Sequence, residues 1–195
     1  MARASRQQSE ATAAAILDAA RGQFGRRGVA DVGLDEIAAG AGVTRGAVYH
    51  HFGSKRGVFL AVHSDAQAQV AAAITEATDG MTDPWEALGT GCRAFLEASV
   101  RDDVRRILLV DAPAVLGWND WREQDLRHSG RLLAGVLADL EAAGLIEVGN
   151  VQACQALLSG AMNEAALWAA SLGSATEGIE QAWPLLRRML DALRP

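Results

Sequence analysis

Residues 34–52 read LDEIAAGAGVTRGAVYHHF, and this stretch decides the fold. It predicts two short helices joined by a tight turn. Leu34 and Ile37 turn apolar side chains inward from the first helix, and Ala38 is small where a second helix passes close. Gly42 stands where a positive φ is cheapest for a sharp turn. Val43 and Val48 fill the angle between the helices, and Thr44 is placed to cap the second. The outer face of that helix then carries Arg45, Gly46, Ala47, Tyr49 and His50. An arginine reads guanine bidentately, and a bare Gly-Ala surface admits a helix deep into a major groove. Thr44, Tyr49 and His50 suit phosphate contacts. Lys55 follows at the start of the next helix, where the helix dipole disfavours a cation and a nearby phosphate would offset the conflict.

Working outward, helical periodicity extends through the whole chain. Upstream, Ala13, Ile16, Leu17, Ala20 and Phe24 form one stripe of a helix over residues 9–27. Downstream, a long helix runs from the Ser54 cap to about residue 78, with Val58, Phe59, Val62, Ala66, Val70 and Ile74 on one face. Asp83-Pro84-Trp85-Glu86 combines an Asp cap, a first-position proline and an early acid, and starts a fifth helix reaching about Val100. A sixth, near residues 103–110, is expected to stop at Asp111-Ala112-Pro113. A seventh spans Gly117 to Gly144, an eighth runs from the Asn150 cap to Leu172, and a ninth from Ser174 to Leu193 with Pro184 inside it. No alternating β-branched run appears, so the fold class is all-α with about nine helices. The expected division is residues 1–53 as a helix-turn-helix domain and 54–195 as a larger helical domain.

Composition narrows the function. The 195 residues are 50% hydrophobic and carry a net charge of −6. The first 57 hold eight Lys/Arg against five Asp/Glu, while the remainder holds ten against nineteen. A basic segment on an acidic body points to a nucleic-acid-facing end. No stretch of about 18 apolar residues spans a membrane, and the opening residues lack a secretory apolar core. Cys92 and Cys154 therefore read as reduced thiols of a cytoplasmic protein. Enzyme signals are missing: no Ser-His-Asp context, nucleotide loop or zinc spacing occurs. Asp125-x-x-His128 is the nearest approach to the paired Glu-x-x-His motifs of a di-iron bundle. No metal or cofactor is expected. A helical-bundle enzyme and a ligand-independent DNA-binding protein are the rival readings, and the acidic body argues against the second.

From about Ala13 to Leu60 the chain resembles the N-terminal domain of TetR family transcriptional regulators. The resemblance rests on Ile37 to Thr44, on Gly46-Ala-Val-Tyr-His-His-Phe52, and on Ser54-Lys55. It implies a ligand-responsive regulator, a repressor, bound as a homodimer to a palindromic double-stranded DNA operator. Arg45 and Ala47 match positions that face bases, Gly46 the point of close approach, and Thr44, Tyr49, His50 and Lys55 positions that hold phosphates. Gly33 stands where members usually have Ser or Thr, and Val32 replaces a common Thr, so Arg45 carries more of the binding. Arg3 and Arg6 offer an N-terminal arm, read here as a solvated tail.

The resemblance also implies a small-molecule effector site in the body and a four-helix dimer interface. Aromatic and apolar residues supply a candidate pocket of Cys92, Phe95, Leu96, Trp118, Trp121 and Trp168, with His63, Gln67 and Asn163 as polar anchors. The expected effector is largely apolar or aromatic. Wide apolar stripes mark the interface: Leu157, Leu158, Ala161 and Ala165 on the eighth helix, and Trp183, Leu186, Met189 and Leu190 on the ninth.

Overall fold

The computed structural model describes the backbone of residues 2–195 and the side chains from Arg6 onward. Every regular element among them is helical, as expected, but there are ten helices. They are α1 (Ala2–Arg27), α2 (Leu34–Gly40), α3 (Arg45–Phe52), α4 (Lys55–Thr78), α5 (Pro84–Ser99), α6 (residues 102–116), α7 (Trp118–Arg127), α8 (Ser129–Ala142), α9 (Val151–Ser171) and α10 (Ala175–Asp191). The chain forms two compact units, one of residues up to Ala66 with Asp102–Trp118, the other of Gln67–Arg101 with Asn119–Pro195. The boundary expected after residue 53 thus falls inside the first unit.

In that unit, α1 is the spine. Ile16, Ala20 and Phe24 are fully buried along it, and Phe59 of α4 meets Phe24 edge to face at 5.8 Å. Such a pair adds about 0.5–1.5 kcal/mol beyond its buried area. α1 starts well before residue 9, and Arg6, expected in a tail, sits on it and pairs with Glu10 at 3.0 Å; the side chain of Arg3 lies outside the described residues. α6 joins the unit because Val104, Ile107 and Leu108 are buried, and because Asp111 accepts the Val29 N–H at 3.0 Å. Pro113 does not stop α6. Residues Arg106–Asp111 widen into π geometry, with the Ala112 N–H bonded to the Ile107 carbonyl. The wider turn loosens the backbone just ahead of the proline, where its ring and missing N–H would otherwise break a regular helix.

In the second unit, Asp83 caps α5 through the Trp85 and Glu86 N–H groups, at 2.8 and 3.3 Å, with Pro84 in the first turn. The helix expected from 117 to 144 is two helices, broken at His128 (φ −108°, ψ −102°). The break lets Ser129 donate to Asp125, and Gln155 of α9 reaches the Gly130 carbonyl at 2.9 Å. Asn150 and Ser174 cap α9 and α10 as their positions require. These last two helices pack on each other through Gly178, where a Cβ would lie 2.6 Å from the Ala169 backbone. Pro184 remains within α10 without ending it.

Candidate nucleic-acid interface and ligand cavity

The α2–α3 pair is held from beneath. Ile37, Ala38 and Val48 are at most 3% exposed, while Val43 is half-buried. The turn passes through Gly42 at φ 66°, a conformation that strains any residue with a Cβ. Thr44 accepts the Ala47 N–H at 3.2 Å and thereby fixes the start of α3. Gly33 caps α2 without a side chain, but Glu36 reaches back to accept the Gly33 N–H at 2.8 Å. Arg27 holds that same carboxylate, and together these hydrogen bonds keep Glu36 below its usual carboxylate range.

α3 presents Arg45, Gly46, Tyr49 and His50 to solvent, with Ala47 half-buried between them. A Cβ on Gly46 would meet only the Thr44 hydroxyl at 3.7 Å, so nothing inside the protein requires glycine there. Arg45 lies over the Tyr49 ring at 5.5 Å, donates to its hydroxyl at 3.3 Å and pairs with Asp35 of α2 at 2.8 Å. These partners raise the guanidinium pKa. Asp35 carries no signal in the sequence, because only the docking of α2 on α3 brings its carboxylate to Arg45.

Lys55 is placed differently from the expectation. Its ammonium donates to the carbonyls of Val29, Ala30 and Val32 at 2.7, 3.3 and 3.0 Å. Three donors meet three acceptors, so the cation is solvated by carbonyl dipoles of the α1–α2 loop and has no N–H left for a phosphate. It braces the loop between α1 and α2 from within. Gly57 has a related role: a Cβ there would fall 1.9 Å from the Phe52 carbonyl, so α3 meets α4 closely only because this residue is glycine.

The second unit contains a cavity of about 230 Å³ between α4, α5, α8 and α9. Of the expected pocket residues it takes Cys92 and Phe95. The rest lie elsewhere. Leu96 is one residue around α5 and fully buried in the core, as is Trp121 to within 6%. His63 is buried beside the Phe59 ring in the first unit, 6.2 Å between centroids, and Gln67 and Asn163 are buried without lining the cavity. Trp118 and Trp168 point outward, 65% and 42% exposed. What the sequence reading missed is the lining of Ile74, Thr75, Thr78, Leu88, Gly91, Ser129, Leu133, Ser159 and Met162. Gly91 was the available signal, a side-chain-free gap on an apolar face. Burial pushes the Cys92 thiol up to about 12, and it raises Cys154 as well, so both are inert neutral thiols.

The expected dimer stripe also divides. Leu157 and Met189 stand free, at 75% and 49% exposure, joined by Leu185 at 59%. Ala161, Ala165 and Trp183 are half-buried. Leu158, Leu186 and Leu190 are at most 6% exposed and belong to the chain's own core.

A three-helix unit with an outward reading helix, followed by an all-helical body, is the architecture of a helix-turn-helix DNA-binding regulator. Residues 16–62 match the family model described as bacterial regulatory proteins, tetR family, and residues 85–193 match the tetracyclin repressor-like C-terminal domain. The chain belongs to the TetR family of transcriptional regulators. It is 34% identical to a TetR-family regulator of Pectobacterium atrosepticum, over 97% of both chains at a TM-score of 0.81. It is 25% identical to the transposon Tn10 TetC protein of Escherichia coli over 95% of this chain and 93% of that one. RolR, solved in complex with resorcinol, shares the fold at a TM-score of 0.73 and 22% identity, over 94% and 89% of the two chains. No described helix is long and apolar enough to cross a membrane.

Proposed function

We propose that this chain is a ligand-responsive repressor that binds a palindromic operator as a homodimer and is released by a small, largely apolar or aromatic effector. The observation that carries the reading is the α3 face. Arg45, Gly46, Tyr49 and His50 are exposed on a helix whose inner side is locked by Val48, and Gly46 is bare without internal need. Arg45 and Ala47 read bases across the major groove; Thr44, Tyr49 and His50 hold phosphates. Two copies joined through the exposed face of Leu157, Leu185 and Met189 would present paired α3 helices to successive grooves.

The apolar cavity supports an effector, as does the likeness in fold to RolR, whose structure holds resorcinol. α4 is the element through which an effector acts in this reading: Lys55 and Phe59 belong to the reading unit, and Ile74, Thr75 and Thr78 line the cavity. A coupling of about 1–3 kcal/mol suffices for a switch. The test is a titration of the full-length protein against the palindrome beside its own coding sequence, with and without small aromatic compounds. Specific binding that weakens with compounds stabilising the protein supports the reading. Binding that never responds to them leaves a ligand-independent DNA-binding protein, and absence of sequence-specific binding overturns the proposal altogether.

A further inference from the structure

The cavity has an unequal supply of hydrogen-bonding groups. No charged side chain is among the described residues lining it; the hydroxyls present are those of Thr75, Thr78, Ser129 and Ser159. Each has its proton committed elsewhere. Thr75 and Thr78 donate to carbonyls one turn back, Ala71 and Ile74, at 3.0 and 2.9 Å. Ser159 donates to the buried Asp125 carboxylate at 2.8 Å, and Ser129 to its other oxygen at 3.4 Å. Asp125 is 3% exposed and paired with Arg122 at 3.1 Å, and Arg122 donates to Ser159 Oγ at 2.9 Å. A serine hydroxyl has one proton and two lone pairs. With its proton on Asp125, Ser129 turns only lone pairs toward the cavity, and Ser159 retains one. The Cys92 thiol, protonated by its burial, lends no charge.

We propose that the effector is a neutral apolar or aromatic molecule carrying a hydrogen-bond donor, a hydroxyl or an amine, which Ser129 and Ser159 accept, and that a wall with no charged group and no free hydroxyl donor makes the site reject carboxylates. This rests on the proposed function, in which the cavity is the effector site. Size agrees: an apolar cavity of about 150 Å³ takes benzene, so 230 Å³ takes a fused or substituted ring. A carboxylate placed against the serines finds lone pairs, no charged side chain on the wall and only the weak S–H donor of Cys92 to replace its water, because the charge of Asp125 is already matched by Arg122. A hydroxyl in the same place completes the unused acceptors.

The experiment uses equilibrium dialysis of the full-length protein with three probes of one skeleton: naphthalene, 2-naphthol and 2-naphthoate. The expected order is 2-naphthol tightest, by about three- to tenfold over naphthalene and by roughly a hundredfold or more over 2-naphthoate. S129A, with circular dichroism as the check that it folds like the wild type, is expected to narrow the naphthol preference over naphthalene to within about twofold. Naphthoate binding as tightly as naphthol overturns the proposal, as does an S129A preference equal to that of the wild type. Failure of all three to bind overturns it too, while operator binding measured separately reports on the regulator reading itself. If naphthol binds in the expected order but leaves operator affinity unchanged, the ligand class stands and the coupling to DNA falls.

Discussion

Replacing Lys55 by Met separates a cation that holds the fold from one that holds DNA. The methionine keeps an apolar stem of similar length and removes the ammonium. Three carbonyls are deprived of a donor: Val29 at 2.7 Å, Val32 at 3.0 Å and Ala30 at 3.3 Å. The first two bonds are partly buried and the third is exposed to water, which replaces it at little cost. At about 1–1.5 kcal/mol for each partly buried bond, K55M is destabilised by about 2–3 kcal/mol. In a chain of this size that lowers Tm by roughly 4–12 °C. The assay pairs thermal unfolding by circular dichroism with operator affinity measured over a range of salt. Were the ammonium bound to a DNA phosphate, its removal would reduce the salt slope by about one. Here the expected result is a lower Tm, weaker binding at every salt concentration and an unaltered slope. An unchanged Tm with a slope smaller by one would refute the argument, because the ammonium would then leave its carbonyls to neutralise a phosphate.

The other expectations concern reading, assembly and pH. R45A is expected to weaken the operator complex by roughly ten- to a hundredfold and binding to random DNA much less, whereas D35N, by freeing Arg45 from its partner, raises binding to both; filter binding on the two DNAs distinguishes these outcomes. L157E and M189E put charges on the exposed face and are expected to give folded monomers by light scattering, whereas L186E buries a charge in the protomer core and unfolds it. Burial holds the Cys92 thiol at about 12 in the folded chain, against 9.0 for a free thiol. Above about pH 9 the unfolded thiol ionises first and binds fewer protons than the folded one, so stability falls as pH rises toward about 12. C92S, which has no such proton, is expected to lack this part of the loss in urea unfolding at pH 8 and pH 10.

The sequence alone determined the reading head. Leu34, Ile37, Ala38, Gly42, Thr44 and Val48 act over short spans of chain, where periodicity, a cap and one positive-φ glycine specify the geometry without distant help. The caps at Asp83, Asn150 and Ser174 were legible for the same reason: each bonds backbone two or three residues away. What only the tertiary structure decided are the partners that folding brings from afar. Lys55 finds carbonyls 23 to 26 residues upstream, and Arg45 finds Asp35 on the preceding helix. Asp111 holds Val29 across 82 residues and draws α6 into the first unit. Asp125 gathers Ser129 from its own neighbourhood and Ser159 from 34 residues away. A helical stripe shows which face is apolar, but whether Leu157 or Leu158 is covered depends on the angle at which the next helix lies, and cavity walls depend on several such angles at once. Local backbone chemistry is written along the chain; the destination of a long side chain is set by whichever element packs beside it.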